Sequence, residues 1–473
     1  MSRDGINMMA AKDIEFKSTH GQRLGMMAAI CMGAFISHFT AGIVNVSLPF
    51  IVNYFQTELG KGLWITTGYL LVITALLPIM GKLGDRYGFR RIHNLGFVIF
   101  TVGSILVAFS PNLPILLTLR VVQGVGAAMF QATNIALITI HMPKEQRGRA
   151  LGILSTAVAL GGMTGPIAGG LIAEWLSWKW LFLIHVPVAI VATIMAYRYI
   201  PNRVQKRKPG AISFVGASLF MVFITLVLLV ITNGSKWGWV SVRTMTSLVG
   251  VSLLLITFLF WERKQKNPFL PLQALKIPTV AGGLIVSCAS FILSNTLLVL
   301  IPFYLMGASA PFSSSTTGYI MAAYPIALAF AGPLAGYCSD RYGSHRLMLM
   351  GLSCMGSGFI LLLVYLDHIP IYGIAAILSL IGLGMGLIAS PNNSFIMQQT
   401  PREHVGSIGG LIALTRNAGM VFGSALGLGV MSGETGQGSQ LQAFKLVFEI
   451  NIFICLSVIV LMVVINRRTF KSA

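Results

Sequence analysis

Gly81-Lys82-Leu83-Gly84-Asp85-Arg86-Tyr87-Gly88-Phe89-Arg90-Arg91 returns 255 residues later (Asp85 to Asp340) as Gly336-Tyr337-Cys338-Ser339-Asp340-Arg341-Tyr342-Gly343-Ser344-His345-Arg346. Each copy closes an apolar run that contains a proline, Pro78 or Pro333. A second echo follows at nearly the same interval: Pro143-Lys144-Glu145 with Gly148 and Gly152 is matched by Pro401-Arg402-Glu403 with Gly406 and Gly410. Two signatures repeated at one long interval point to a duplicated half-chain, a common origin of transport folds.

The material between the signatures is apolar. The chain has 473 residues, of which 55% are hydrophobic and 10% charged, and its mean hydropathy is +0.80. Soluble globular domains do not have this composition. Crossing a hydrocarbon core takes about 20 mostly apolar residues in a helix. Such runs fall near 24–52, 64–83, 92–110, 114–141, 150–173, 180–200, 211–232, 243–262, 279–304, 316–337, 346–366, 370–397, 406–431 and 443–465. Inside lipid every backbone polar group must be satisfied within its own segment, so runs of this length read as helices, not barrel strands. The expected fold is all-α with fourteen transmembrane helices.

The net charge of +20 could indicate nucleic acid, but the cations alternate between loops. Lys82, Arg86, Arg90 and Arg91, then Lys144, Arg147 and Arg149, then Arg203 to Lys208, then Arg263 to Lys276 crowd one set, while the opposite set is nearly bare. The positive-inside rule therefore places both termini in the cytoplasm, with the lipid bilayer and not nucleic acid as partner. Polar residues 1–23 read as a cytoplasmic tail, with no cleavable signal. The interval near 255 leaves room for two helices between six-helix repeats. The expected organisation is a six-helix bundle at 24–200, a linker with two inserted helices at 201–278, a second six-helix bundle at 279–465 and a tail at 466–473. The insert, with its Trp237-Gly238-Trp239 turn, reads as the least functional part. The five cysteines are scattered and form neither a disulfide framework nor a metal site.

The repeated loop has a mechanical logic. Gly81 and Gly88 permit close helix approach, and Asp85 beside Arg86, Arg90 and Arg91 can pair with a cation or cap a neighbouring helix in one conformation and release it in another. Asp340 and Arg341 would do the same in the second half. Arg120, in Arg120-Val121-Val122-Gln123-Gly124-Val125-Gly126-Ala127-Ala128, lies within the fourth run, where an unpaired cation costs on the order of 3 kcal/mol or more. It needs a cavity or a partner. Gly152, Gly161, Gly165-Pro166 and Gly169-Gly170 thread glycine and a kinking proline through the fifth run, suiting it to bend and slide.

These residues resemble the major facilitator superfamily across nearly the whole chain: its loop signature, its arginine motif in the fourth helix and its antiporter motif in the fifth. With Ser177-Trp178-Lys179-Trp180-Leu181-Phe182-Leu183-Ile184-His185-Val186-Pro187, the chain is similar to the fourteen-span drug:proton antiporter family. The resemblance implies export of small amphipathic compounds by alternating access, with protons as coupling ion, in the cytoplasmic membrane. A facilitator or a lipid or fatty-acid flippase would use the same fold, and a non-transporting sensor is the alternative of another class. No Ser/His/Asp set, metal cluster or Gly-x-x-x-x-Gly-Lys loop is present, so neither an enzyme, a cofactor nor direct use of ATP is expected.

The sequence departs from that family where coupling is concerned. Phe39-Thr40-Ala41-Gly42-Ile43-Val44-Asn45-Val46-Ser47-Leu48-Pro49 matches its first-helix signature, but Thr40 replaces the usual acid, and His185 stands where an amide is common. His38 is a candidate proton carrier, although roughly 200° around the helix from Thr40. The charges left inside the runs are positive, Arg120 and Arg416. They point to a cavity favouring neutral or anionic amphiphiles, with Gln123, Asn134, Asn295, Asn392 and Gln398 available for hydrogen bonds. The expected pathway for substrate or proton is thus His38, Thr40, Asn45, Arg120, Gln123, Asn134 and Arg416, in a monomer.

Overall fold

The computed structural model describes residues 20–57, 59–62, 64–201, 213–238, 240–265, 268–306, 314–365, 370–401, 404–431 and 437–471. Most of the expected N-terminal tail and the linker residues 202–212 lie outside these. The first six helices are α1 (His20–Tyr54), α2 (Trp64–Tyr87), α3 (Phe89–Ala108), α4 (Leu113–His141), α5 (Arg147–Trp175) and α6 (Val186–Tyr199), the last continuing a helical turn at Trp180–Leu183. The insert contributes α7 (Phe214–Trp237) and α8 (Val242–Lys264). Then come α9 (Pro278–Met306), α10 (Ser314–Tyr342), α11 (Ser344–Tyr365), α12 (Ile371–Gln398), α13 (Val405–Met431) and α14 (Gln437–Lys471).

Among the described residues, twelve helices are long and apolar enough to cross a membrane, against the fourteen expected. The other two expected runs are also helices: α5, of 29 residues, and α7, whose apolar stretch is the shorter Val215–Ile231.

The exterior explains the composition. Phe260 on α8, Phe330 on α10 and Phe453 on α14 are 63%, 71% and 73% exposed. Apolar area on this scale is stable only against lipid. Polar groups turn inward instead, and Thr40, Ser104, Arg120, Gln123 and His185 are all buried.

Inside, Ile30, Ile73, Phe97, Phe130 and Ala189 form one core, which Phe220 of α7, Phe258 of α8 and Ile408 of α13 join. Leu293, Leu352, Phe359, Ile381 and Phe448 build a second core from α9, α11, α12 and α14. The insert is anchored by a buried carboxylate: Glu262 accepts the backbone N–H of Leu270 at 2.9 Å, while Lys82 of the first signature donates to the Pro268 carbonyl at 3.4 Å. The segment read as least functional therefore touches the signature loop.

Candidate functional site

The duplicated signature keeps its shape in both copies. Gly88 and Gly343 have φ of 94° and 87°, a region that side-chain-bearing residues avoid. Each ends a helix, accepting the chain after a backbone bond from Gly88 to Gly84 (3.0 Å) or Gly343 to Ser339 (3.1 Å). Arg86 lies over the Tyr87 ring at 5.2 Å and Arg341 over the Tyr342 ring at 5.5 Å. Arg90 donates to the Tyr197 carbonyl at 2.6 Å, tying α3 to α6, and Arg91 is exposed.

The two carboxylates reach across the molecule. Asp85 accepts from the backbone N–H of Gly406 at 2.9 Å, from that of Ser407 at 2.8 Å and from the Ser407 hydroxyl at 2.5 Å. Asp340 accepts from Gly148 at 2.9 Å and from Arg149 at 3.2 Å. Gly148 and Arg149 are the second and third residues of α5, as Gly406 and Ser407 are of α13. A carboxylate here satisfies N–H groups with no partner in their own helix and meets the positive end of its dipole. The two echoes seen in the sequence are thus crossed partners: each half's Asp docks on the other half's Gly-containing helix start.

Small residues make this approach close. A methyl group on Gly81 would overlap the Gly406 carbonyl, and one on Gly152 the Gly332 carbonyl. Gly410 meets Leu77 and Pro78, and Gly336 meets Gly148, so the seams α2–α13 and α5–α10 run backbone against backbone at this end.

The glycines of the fifth helix face elsewhere. Gly161, Gly165 and Gly169 pack on Phe35, Phe39 and Ile43 of α1, where Ser47 also donates to the Gly169 carbonyl at 2.9 Å. Gly419, Gly423 and Gly427 of α13 pack on Cys288, Ile292 and Leu300 of α9. This second set stands 258 residues after the first (Gly161 to Gly419) and was missed in the sequence, although the interval between Gly148 and Gly406 is the same. The surroundings of Asn45, Pro166 and Gly170 lie outside the described residues.

Arg120 is closed within the first six helices. It donates from Nε to the Ile65 carbonyl at 3.0 Å and from Nη1 to Gln123 Oε1 at 2.6 Å, and it stacks 4.0 Å from the Tyr69 centroid. Gln123 donates to Ser104 Oγ at 2.7 Å, and His185 Nε2 stands 3.1 Å from Ser104 Oγ and 3.4 Å from Thr40 Oγ1. Five helical segments are knitted by this chain of polar groups. The two departures from the family pattern, Thr40 and His185, touch each other.

His38 points another way. Its Nδ1 bonds the Ala34 carbonyl at 2.9 Å, and its ring lies within electrostatic reach of Arg416 on α13. Arg416 reaches Gln131 Oε1 on α4 at 3.4 Å. Asn134, one turn further along α4, keeps a buried Oδ1 without a partner. Asn295 donates to the Met420 carbonyl at 2.6 Å and Asn392 to that of Gly283 at 2.9 Å, both bracing α9, while Gln398 is exposed at the end of α12.

The sequence model of the Major Facilitator Superfamily matches residues 30–310 and, in a second match, 280–472. The chain belongs to the major facilitator superfamily. Matches that overlap in the middle of the chain agree with the duplication seen in the two signatures. Among superfamily relatives, the riboflavin transporter RibZ of Clostridioides difficile is 31% identical over 407 residues, 85% of this chain and 87% of that protein. The multidrug resistance protein Stp of Mycobacterium tuberculosis is 28% identical over 401 residues, 85% of this chain and 74% of Stp. The human organic anion transporter MFSD10 has the same fold, with a TM-score of 0.64 at 14% identity, covering 92% of this chain and 100% of that one. The protein is a multi-pass membrane transporter and not an enzyme.

Proposed function

We propose that this transporter exports small amphipathic compounds across the cytoplasmic membrane by alternating access, with protons moving the opposite way. The observation that carries the reading is the crossed pair of contacts, Asp85 on the start of α13 and Asp340 on the start of α5. Carboxylate-to-backbone bonds between halves hold one end shut but leave both partners hydratable, so they can break and reform without repacking a core. The positive loops support a cytoplasmic position for that end and for both termini. The conformation is then closed on the inward side. In this reading the chain has fourteen spans, as six-helix bundles at 24–200 and 279–465 separated by two inserted helices, and works as a monomer. Relatives named for riboflavin transport and for multidrug resistance support a small organic substrate.

The test is efflux from proteoliposomes loaded with amphiphiles of different charge, with and without an imposed pH gradient. Efflux that accelerates when the outer face is made acidic supports proton antiport. Failure of every probe to leave faster than from protein-free liposomes contradicts the transport reading.

One observation favours a second reading. Thr40, where the drug:proton antiporters usually carry an acid, is uncharged and bonded to His185. A gradient-independent facilitator or a lipid or fatty-acid flippase needs no protonatable group there, and equal efflux with and without the gradient would select it.

A further inference from the structure

The two arginines inside the helices are in different conditions. Arg120 leaves its Nη2 without an acceptor but has a carbonyl, an amide oxygen and the faces of Tyr69 and Phe182 (4.0 and 5.5 Å) around its charge. Arg416 has one contact, to Gln131 at 3.4 Å, near the limit of a hydrogen bond. Its Nε is buried with no acceptor, and among the described residues no carboxylate pairs with it. A part-buried cation so poorly compensated is costly, and a counter-ion relieves the cost.

The groups around Arg416 come from both halves of the chain: His38 from α1, Gln131 from α4 and Arg416 itself from α13. They meet on the seam between halves, the surface that alternating access would uncover. His38 Nδ1 must donate to the Ala34 carbonyl at 2.9 Å, which leaves Nε2 as an acceptor, and that atom too is buried without a partner. A guanidinium nitrogen and an imidazole acceptor without partners therefore lie within electrostatic reach of each other.

We propose that Arg416, with His38 and Gln131, recognises an organic acid: its carboxylate pairs with the guanidinium, a hydroxyl or N–H elsewhere on it donates to His38 Nε2, and its apolar body lies between the halves. The inference rests on the transport reading above and names its substrate class. It also names what the site rejects. A cationic compound adds charge beside Arg416, and no acid at position 40 offsets it.

Three probes that share a naphthalene ring system and one hydroxyl separate charge from shape: 6-hydroxy-2-naphthoate, 6-hydroxy-2-naphthamide and 6-(aminomethyl)-2-naphthol. Binding to the purified full chain is measured by tryptophan quenching in the wild type, Arg416→Gln and Arg416→Lys. Charge-assisted pairs are roughly twice as strong as neutral ones, so the acid should bind at least about tenfold more tightly than the amide, with the amine weakest. The preference should vanish in Arg416→Gln and persist in part in Arg416→Lys, with thermal stability of both variants retained. An amide or amine that binds the wild type as tightly as the acid overturns the proposal, as does an acid preference that survives in Arg416→Gln. Proteoliposome efflux keeps the two readings apart: no movement of any probe contradicts transport whatever the binding order, whereas faster efflux of the amine than of the acid contradicts the anion assignment while transport stands.

Discussion

Asp85 and Ser407, 322 residues apart in sequence, are joined by two hydrogen bonds, from the Ser407 backbone N–H at 2.8 Å and from its hydroxyl at 2.5 Å. Asp340 has only backbone donors, Gly148 and Arg149. The two contacts share a plan but differ in their number of donors, three against two. Net contributions of charge-assisted bonds run roughly 1.5–3 kcal/mol each. Asp85→Ala should open this end more than Asp340→Ala does, each by at least about tenfold in population, since about 1.4 kcal/mol is a factor of ten. The check is the labelling rate of Cys338 in a variant with Cys338 as its only cysteine. Equal, unchanged rates in both variants would remove the latch.

Gly410 meets Leu77 and Pro78, and Gly152 meets Gly332 and Pro333, backbone against backbone. Gly410→Leu and Gly152→Leu should each prevent closure of this end without unfolding the bundles. The expected result is a folded protein that retains substrate binding and loses net efflux, read from size-exclusion profile, probe binding and proteoliposome flux together.

These seams also show what could be read in advance. Asp85, Asp340 and the Gly148/Gly406 pair are legible in sequence because duplication writes each of them twice. Their crossed pairing is not, since contact between residues hundreds apart depends on how the halves face each other. The glycines on α13 at 419, 423 and 427 are equally legible by the same interval, but no proline follows Gly423 as Pro166 follows Gly165. Arg120 and Arg416 look alike in sequence, as single cations in apolar runs, and only the side chains of neighbouring helices distinguish them. Glu262 shows the limit of reading an insert by composition: its value lies in a loop N–H eight residues away that no periodicity reveals.

Gly165 and Gly423 seat α5 on α1 and α13 on α9 in equivalent places. Leucine at either position should separate its helix pair, and flux should fall severalfold or more in both. Unaffected flux in Gly423→Leu alongside lost flux in Gly165→Leu would mean that the two halves do not move alike.

Arg120→Ala should reduce stability by on the order of 3 kcal/mol, because Gln123 Oε1 and the Ile65 carbonyl lose their donor in a buried site. Thr40→Val should cost no more than about 1 kcal/mol, since its bond to His185 is long. Thermal unfolding in detergent checks both, and a larger loss for Thr40→Val would reverse the assignment of which residue braces the network.

Transport by alternating access requires the end carrying Asp85 and Asp340 to open and close. Tyr87 and Tyr342 are exposed there, 48% and 65%, one from each half. Spin labels at these two positions, in a background without the native cysteines, report their separation by double electron–electron resonance. A single short distance is expected in the wild type, and a second, longer population in Asp85→Ala and on addition of substrate. One unchanged distance under all three conditions would contradict it.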